Sequence, residues 1–584
     1  MDNYFIHMKL GQAFSDSVSV IDRKATRMPR ETGNRWWLGA GRALIFATAL
    51  FVAFFILMWR LFDLTIIQGH AFRALADNNR TRELIIHAPR GILYDRTGKP
   101  LVENIEEDRR VGNFTEVDWR RHYLYPDSLS RVTGYTGELT ETEVKDEYYS
   151  LRDYHAGDKI GRAGAEAFFE ERLRGRDGKE LVEVDATGQM LRVLGRQEAI
   201  AGEDITLSVD ASLSLSVAHA FPAGEKGAVV VTKPTTGEVF ALYSAPSFDP
   251  NRFSLGMSAG EYTRLVNDPA QPLFDRAISG TYPPGSTFKI ILAIAGLEEE
   301  AVKPDTIVDD NGTIVIGPFT FSNWYFTQYG KTEGPVDIVK ALARSNDIFF
   351  YKVGEWLGIT KIAKWARIVG IGTSLGIELP GEATGLVPDP AWKAAAFNTP
   401  ADLIAHNDEW YLGDTYHVAI GQGYLLTTPL QMNAWTNIIA NGGKLCRPTI
   451  TKVSGAKTEC KNIGLKPETL KLISTGLEEA CATGGTGWPL FDFEASSSAG
   501  LRRIPVACKT GTSEFGDPQN RTHAWFTTFA PLPAEAVAKE GGTDKKVLSG
   551  DPELSITVLV EGAGEGSNVA APVAKKIYED WFSR

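Results

Sequence analysis

The sequence predicts a mixed α/β (α+β) fold, preceded by a β-rich segment and by one membrane-spanning helix. Three observations support this prediction. From about residue 206, strand patterns such as Gly227 to Val231 and Val239 to Tyr243 alternate with helical stretches, and a late strand is expected at Ser555 to Glu561. Residues 63–205 carry mainly strand patterns. The stretch from Ala43 to Trp59 is uncharged and almost wholly apolar.

The apolar stretch is predicted to be a membrane anchor. It covers about 17 residues, extended by Leu61 and Phe62, which is just enough to span a bilayer. No small-residue cleavage signal follows it, so we expect an anchor rather than a removed signal peptide. More basic residues precede the segment than follow it, which predicts a cytoplasmic N-terminus and export of everything after residue 62. The preceding residues are Arg23, Lys24, Arg27, Arg30, Arg35 and Arg42, and the following ones are Arg60 and Arg73.

Length, charge and cysteine content narrow the class of protein. A chain of 584 residues is expected to form two or more domains. The net charge of −12 argues against nucleic acid as a partner. Four cysteines in so long a chain do not make a disulfide framework. A bridge between Cys446 and Cys460 is possible but disfavoured, because a tight turn near Gly455 would put the two residues out of register.

The first string with chemical potential is Ser286-Thr287-Phe288-Lys289. On a helix, residues three apart share one face, so Lys289 can take the proton that makes the Ser286 hydroxyl nucleophilic. The apolar run from Ile290 predicts a buried helix with Ser286 at its N-terminus, where unpaired N–H groups can stabilise an oxyanion. A second Ser-x-x-Lys, Ser454 to Lys457, follows a strand pattern and contains a turn glycine, so we reject it. Taken alone, Ser286 would be an ordinary helix cap.

Two further strings follow in order, Ser345-Asn346-Asp347 and Lys509-Thr510-Gly511-Thr512. The first lies in Asp337 to Gly354, a predicted helical stretch, and by itself would be a solvated helix face or a cap. The second follows the strand pattern Ile504 to Cys508, and strand alternation points Lys509 and Gly511 to one face and Thr510 to the other. Gly511 allows a substrate backbone to approach the strand closely. By itself the string would be an exposed edge strand with a protective lysine.

Together, the three strings resemble the active-site motifs of penicillin-binding transpeptidases and serine β-lactamases. The resemblance runs from about residue 40 to the C-terminus. The stretches Ala88 to Gly98 and Gly161 to Glu166 resemble the pedestal domain of class B penicillin-binding proteins, and Ile420 to Tyr424 resembles part of their transpeptidase domain. Asp347 and the string Gly385 to Asp389 are most similar to the elongation-type enzymes called penicillin-binding protein 2.

This resemblance implies a transpeptidase domain whose antiparallel sheet is flanked by helices, on a β-rich pedestal. It implies a serine acyl-enzyme that cross-links peptidoglycan stem peptides in cell-wall elongation and is acylated by β-lactams. The implied catalytic residues are Ser286, Lys289, Ser345, Asp347 and Lys509, and the implied substrate-binding residues are Thr510, Gly511 and Thr512. No cofactor is expected. Some elongation-type relatives hold zinc between the first two motifs, but residues 290–344 contain no His or Cys, so no metal is expected here.

The resemblance also implies partners and a location. The partners are stem peptides, β-lactam antibiotics, the membrane, and a polytopic membrane glycosyltransferase of the shape, elongation, division and sporulation class. The location is the bacterial cytoplasmic membrane, with the catalytic domain outside it. A division-type transpeptidase, a β-lactamase of the same fold and a non-enzymatic β-lactam sensor remain as alternatives. A β-lactamase needs a group that activates water to hydrolyse the acyl-enzyme, and we can assign none here.

The expected organisation has four parts. These are a short cytoplasmic tail, an anchor, a pedestal and a transpeptidase domain, with the boundaries 1–42, 43–62, 63–205 and 206–584. Cys508 stands where relatives more often carry a small residue, and strand alternation predicts that its side chain lies in the core.

Overall fold

The computed structural model describes residues 36–584 except 112, 153, 186, 454–457, 498–499, 533–546 and 549. Most of the predicted cytoplasmic tail and the rejected Ser454 to Lys457 string therefore lie outside the described residues. The chain divides into two compact units, Met1–Arg82 with Val184–Ala186, and Glu83–Glu183 with Thr187–Arg584. The predicted boundary between pedestal and transpeptidase domain at 205/206 falls inside the second unit and stays a prediction.

The first unit is dominated by the apolar N-terminal helix. Helix α1 (Trp36–Phe62) continues into a π-helical turn (Asp63–Ile67) and is followed by α2 (Gly69–Arg80). The stretch Gly41–Ile67 is long and apolar enough to cross a membrane, and none of it is buried. It contains residues 43–62, the segment predicted as the anchor. Among the described residues it is the one helix that meets both criteria.

The region predicted as the pedestal is built mainly from strands. Strands β3 and β4 form a long antiparallel hairpin, and β2 and β9 extend it to a four-stranded sheet in the order β4-β3-β2-β9, with the bounds that follow. The elements are β1 (Thr81–Ile86), β2 (Leu93–Tyr94), β3 (Pro100–Val111), β4 (Phe114–Tyr123), α3 (Pro126–Thr133), β5 (Thr136–Glu138), α4 (Glu147–Ser150), β6 (Lys159–Gly161), α5 (Gly164–Phe168), α6 (Glu170–Leu173), β7 (Gly178–Val184), β8 (Met190–Gln197) and β9 (Ile205–Thr206).

A buried ionic cluster connects the two stretches of the sequence that resemble the pedestal domain. The carboxylate of Glu166, fully buried, accepts hydrogen bonds from Arg90 Nε at 2.5 Å and from Arg121 Nη2 at 2.6 Å. Arg90 also reaches Glu170 at 2.6 Å. Both arginines hold the pKa of Glu166 below its ordinary value against the opposing effect of burial. The cluster therefore joins Ala88 to Gly98 with Gly161 to Glu166 across the pedestal.

The second half of the chain has the mixed strand and helix pattern that the sequence predicts. Its elements are α7 (Ala211–Ala220), β10 (Gly227–Thr232), β11 (Val239–Ala245), α8 (Asn251–Ser254), α9 (Ala259–Val266), α10 (Lys289–Glu298), β12 (Val308–Asp310), β13 (Thr313–Ile316), β14 (Phe319–Ser322), α11 (Trp324–Tyr329), β15 (Gly334–Val336), α12 (Ile338–Ala343), α13 (Asp347–Ile368), α14 (Pro390–Ala396), α15 (Pro400–Ile404), α16 (Leu412–Ala419), α17 (Pro429–Ala440), β16 (Lys444–Cys446), β17 (Cys460–Asn462), α18 (Pro467–Ala480), β18 (Glu494–Ser497), β19 (Gly500–Arg503), β20 (Ala507–Glu514), β21 (Thr522–Ala530), β22 (Leu554–Val560) and α19 (Ala570–Ser583).

A five-stranded antiparallel sheet in the order β11-β10-β22-β21-β20 forms the centre of this half. All residues of β10 and β22 are buried, as expected for strands covered on both faces. Helices α7 and α19 contribute to the core on one face of the sheet, and α10, α13 and α17 contribute to the core on the other. This is the antiparallel sheet flanked by helices that the resemblance implied, with β20 at its edge.

Both cysteine pairs form disulfides, which corrects the expectation for one of them. Cys446 and Cys460 lie directly opposite each other in the β16–β17 ladder and are bonded, so the disfavoured bridge exists. The register argument was wrong, because the two residues pair across these strands. Cys508 is buried as predicted, but it is also bonded to Cys481 at the end of α18.

Replacing Glu166 by Gln should destabilise the protein by about 3 kcal/mol, because two buried arginines lose a charged partner. Urea unfolding of the purified full chain in detergent measures the effect. The control is Glu171→Gln, whose exposed ion pair with Arg152 should contribute less than about 1 kcal/mol. Equal losses in the two variants would contradict a structural role for the buried cluster.

Candidate active site

Ser286 lies on a tight turn immediately before a buried helix. Residues Gly285–Phe288 form one turn of 3-10 helix, and α10 then begins at Lys289. One hydrogen bond closes the turn and another holds it to a distant segment. Thr287 Oγ1 donates to Pro284 O at 2.7 Å, and Gly285 N donates to Gly421 O at 2.9 Å. The predicted position of Ser286 at the start of a buried helix is therefore correct.

The contact between Gly285 and Gly421 requires glycine on both sides. Gly421 has φ +75°, and a Cβ built on it would lie 2.1 Å from Gly285 O. Gly285 has φ +56°, and its Cβ would lie 2.8 Å from Thr512 O in β20. The backbone in front of Ser286 is thus packed directly on two other backbone segments. The position of the nucleophile is fixed by backbone contacts with little space to relax.

Lys289 is completely buried and faces the second motif. Its Nζ donates to Asp347 Oδ1 at 2.6 Å, to Ser345 O at 2.8 Å and to Ser345 Oγ at 3.4 Å. Burial lowers the pKa of Lys289 from its ordinary value, while the Asp347 carboxylate opposes that shift by favouring the charged form. Within the described part of the chain, no hydrogen bond joins Lys289 to the Ser286 hydroxyl. Such contacts often tighten only when substrate is bound.

The second motif lies in a break between two helices rather than on one continuous helix. Helix α12 ends at Ala343 and α13 starts at Asp347, so the predicted helical stretch Asp337 to Gly354 is interrupted. Ser345 adopts φ +55°, a left-handed conformation that is costly for a residue with a side chain. Asn346 then caps α13 by accepting a hydrogen bond from Phe349 N at 2.8 Å. The break turns Ser345 and Asp347 towards Lys289.

The third motif occupies the middle of the edge strand β20. Lys509 and Gly511 pair with Thr527 and Trp525 of β21. Lys509 is fully buried, and burial together with the charge of Lys289 holds the pKa of Lys509 well below its ordinary value. A Cβ on Gly511 would lie 2.9 Å from Thr287 Cγ2, so this glycine permits the close packing of β20 on the serine turn. Here the need for glycine comes from the protein's own packing.

The three motifs converge on one open cleft. Six of the eight residues predicted for the site line it: Ser286, Ser345, Asp347, Thr510, Gly511 and Thr512. The two lysines, 289 and 509, are buried and do not line the cleft. The arrangement places a hydroxyl in the cleft and two buried amines behind it, and burial lowers the pKa of each amine. Such a group of residues can perform nucleophilic attack on a carbonyl with proton transfer to a neutral amine.

One wall of the cleft was not anticipated from the sequence. Gly485, Thr486 and Trp488 follow helix α18 and line the cleft. Thr510 Oγ1 donates to Thr486 Oγ1 at 2.9 Å, and a Cβ on Gly487 would lie 2.4 Å from Cys508 Sγ. The Cys481–Cys508 disulfide therefore packs beneath this wall. The two glycines before Thr486 signal a turn, but nothing in the sequence signals contact with β20.

The predicted site residues have further polar neighbours that the sequence analysis missed. Asp310, Asn323 and Asn346 form a buried hydrogen-bonded group beside Asp347. The string Asp309 to Gly312 predicts only a turn. Among the described residues, no group of three or more His, Cys, Asp or Glu side chains is arranged to hold a metal ion.

Comparison with known families matches both halves of the chain. The penicillin binding protein transpeptidase domain matches residues 227–539, and the penicillin-binding protein dimerisation domain matches residues 106–207. The peptidoglycan D,D-transpeptidase MrdA of Haemophilus influenzae is 30% identical to this chain, over 94% of this chain and 92% of the relative.

Solved structures of similar proteins agree with these matches. A penicillin-binding protein 2 from Helicobacter pylori, solved in complex with MreC, has a TM-score of 0.70 at 25% identity and covers 86% of this chain and 98% of its own. A chain from a peptidoglycan synthase complex that coordinates polymerization and crosslinking has a TM-score of 0.71 at 28% identity, over 93% of this chain and 99% of its own. The transpeptidase match covers more than half of the chain, and the matched fold carries the three motifs in one cleft. The protein therefore belongs to the penicillin-binding protein transpeptidase family.

Proposed function

We propose that the protein is a membrane-anchored D,D-transpeptidase that cross-links peptidoglycan stem peptides during cell-wall elongation. The observation that carries this proposal is the convergence of three separate motifs on one cleft, with Lys289 and Lys509 buried behind it. The relatives named peptidoglycan D,D-transpeptidase MrdA support the elongation role. A division-type role is the nearest alternative.

In the first half-reaction, Ser286 Oγ attacks the carbonyl carbon between the two terminal D-Ala residues. Lys289, in its neutral form, takes the hydroxyl proton, and the carbonyl oxygen becomes an oxyanion held by the backbone N–H groups of Ser286 and Thr512. The C–N bond then breaks, the leaving amine takes a proton, and the terminal D-Ala departs. The product is an ester between Ser286 and the shortened stem peptide.

In the second half-reaction, the amine of another stem peptide attacks that ester. A new C–N bond forms, the C–O bond between the acyl carbon and Ser286 Oγ breaks, the amine loses a proton, and Ser286 regains its hydroxyl hydrogen. In this proposal Thr510 and Thr512 bind the substrate carboxylate from the cleft, with Lys509 buried behind them. Ser345 and Asp347 relay protons or hold Lys289. A β-lactam undergoes the first half-reaction at its ring amide. The C–N bond of the ring breaks, but the leaving amine stays attached to the acyl group, which remains on Ser286.

The proposed partners follow from this role and from the relatives. The H. pylori relative was solved with MreC, and another neighbour is part of a peptidoglycan synthase complex. We propose that this chain likewise assembles with a polytopic membrane glycosyltransferase of the shape, elongation, division and sporulation class. Such a partner makes the glycan strands whose stem peptides this enzyme would join.

The first prediction from the proposed function concerns the penicillin adduct. Labelled penicillin should form a single adduct on Ser286 that persists for many minutes, because a cross-linking enzyme must protect its acyl-enzyme from water. Peptide mass mapping locates the adduct and its decay gives the lifetime. Ser286→Ala should abolish labelling and Ser454→Ala should leave it unchanged. Rapid catalytic turnover of penicillin would favour a β-lactamase, and labelling at Ser454 would refute the assignment.

The second prediction concerns pH. The acylation rate should rise with pH as Lys289 loses its proton, with a midpoint below the ordinary lysine pKa of about 10.4. Asp347→Asn removes the carboxylate that favours the charged amine, so the midpoint should move to lower pH. Acylation rates of the full chain measured over a pH series test this. Glu514→Gln, which changes an exposed carboxylate of the same cleft, should not move the midpoint. A midpoint that stays or rises in Asp347→Asn would contradict the base assignment.

The third prediction concerns orientation. We propose that the N-terminus is cytoplasmic and that the chain after residue 62 lies outside the membrane, because the basic residues cluster before the anchor. Protease added to intact spheroplasts should digest the catalytic portion and spare an N-terminal tag until the cells are permeabilised. Digestion of the tag in intact spheroplasts would reverse the orientation.

A further inference from the structure

We propose that Asp310 is a positioning residue for acylation, which it supports by holding the Ser345-Asn346-Asp347 motif against Lys289. The inference rests on the proposed function, since it concerns the rate at which Ser286 is acylated. Asp310 lies at the end of β12, 37 positions before Asp347, and its side chain is 1% exposed. It belongs to none of the three motifs.

Asp310 accepts hydrogen bonds from four separate N–H groups. Its Oδ1 accepts from Gly312 N at 2.7 Å. Its Oδ2 accepts from Asn323 Nδ2 at 2.7 Å, from Asn346 Nδ2 at 2.8 Å and from Glu333 N at 3.1 Å. All four donors are neutral amides. The carboxylate therefore serves as the common acceptor that joins three chain segments to the second motif.

The two asparagines transmit this arrangement to the catalytic motif. Because their Nδ2 groups face Asp310, their Oδ1 atoms are turned towards backbone N–H groups. Asn346 Oδ1 accepts from Phe349 N at 2.8 Å, and Asn323 Oδ1 accepts from Asp347 N at 3.1 Å. The adjacent Trp324 N donates to Asp347 Oδ2 at 2.9 Å. Asn323, which contacts Asp310, therefore fixes the backbone of Asp347, and the next residue, Trp324, fixes its carboxylate.

The motif needs this support because its own conformation is unfavourable. Ser345, at φ +55°, holds a left-handed conformation that is unfavourable for a residue with a side chain. In that conformation Ser345 O and Oγ and Asp347 Oδ1 all point to Lys289 Nζ. A relaxed Ser345 would turn these oxygens away from the amine. A displacement of about 1 Å in a catalytic group can cost about 100-fold in rate.

The substitution Asp310→Asn tests this role with little change in volume. An asparagine offers one acceptor oxygen in place of two, so in either orientation its NH2 group faces another N–H. We expect the acylation rate constant of the full chain with labelled penicillin to fall about 10- to 100-fold, with the non-covalent dissociation constant changed less than about twofold. Measuring the rate at several penicillin concentrations separates the two constants, and active-site titration corrects for any unfolded fraction.

Two further variants complete the experiment. Asp309→Asn changes the exposed neighbouring carboxylate and should acylate at the wild-type rate. Asn346→Ser keeps a residue that can cap α13 but removes the link to Asp310, so it should slow acylation even if Asp310→Asn does not fold.

A wild-type rate constant in the folded fraction of Asp310→Asn, or in Asn346→Ser, overturns the proposal. So does a change confined to the dissociation constant, or an equal loss in Asp309→Asn. Failure of the proposed function is seen separately. It would appear as rapid penicillin turnover by the wild-type chain, whose acylation rate still serves as the reference for Asp310.

Discussion

The burial of two lysine amines beside one carboxylate is the constraint on which the rest of the site depends. Lys289 and Lys509 are both fully buried, and Asp347 contacts only the first of them. Such a position is shielded from solvent, so a charged amine is costly unless a partner compensates it. Three separate elements supply these groups, and moving either α10 or α13 would separate Lys289 from Asp347. The motifs are therefore coupled by electrostatics although they lie far apart in sequence.

The central sheet gives this group a rigid boundary and an open side. Strand β20 is paired with β21 on one side only, and Thr510, Gly511 and Thr512 line the cleft. An edge strand can pair with an extended peptide through its free backbone groups. The Cys481–Cys508 bond and the Thr486 contact restrain the same strand from the side of α18. The strand that borders the cleft is therefore held from two sides, and such rigid support is what precise orientation of reacting groups requires.

Local sequence patterns predicted many of the helices and strands, but they predicted neither the break between α12 and α13 nor the contacts between distant segments. Thr428 and Pro429 signal the start of α17, and the structure has that cap at that residue. The left-handed Ser345 carries no signal in sequence, because its conformation is imposed by hydrogen bonds from another part of the chain. The hydrogen bond between Asp310 and Asn346 joins residues 36 positions apart, and the Cys481–Cys508 bond joins residues 27 positions apart. Both therefore depend on tertiary contacts. The predicted site residues came from the family resemblance, whereas their neighbours could be identified only from the structure.

The paired glycines in front of the nucleophile also limit how this enzyme can evolve under antibiotic pressure. Any side chain at Gly421 would strike Gly285 O at about 2.1 Å, and Gly285 is closed off by Thr512 in the same way. We therefore expect no resistance substitution at either glycine, because even a methyl group there would displace the turn that carries Ser286. Trp488, on the wall of the cleft that follows α18, is 54% exposed and has no such restriction. Adaptive changes that exclude a drug but admit the stem peptide should therefore accumulate on that wall and spare the turn.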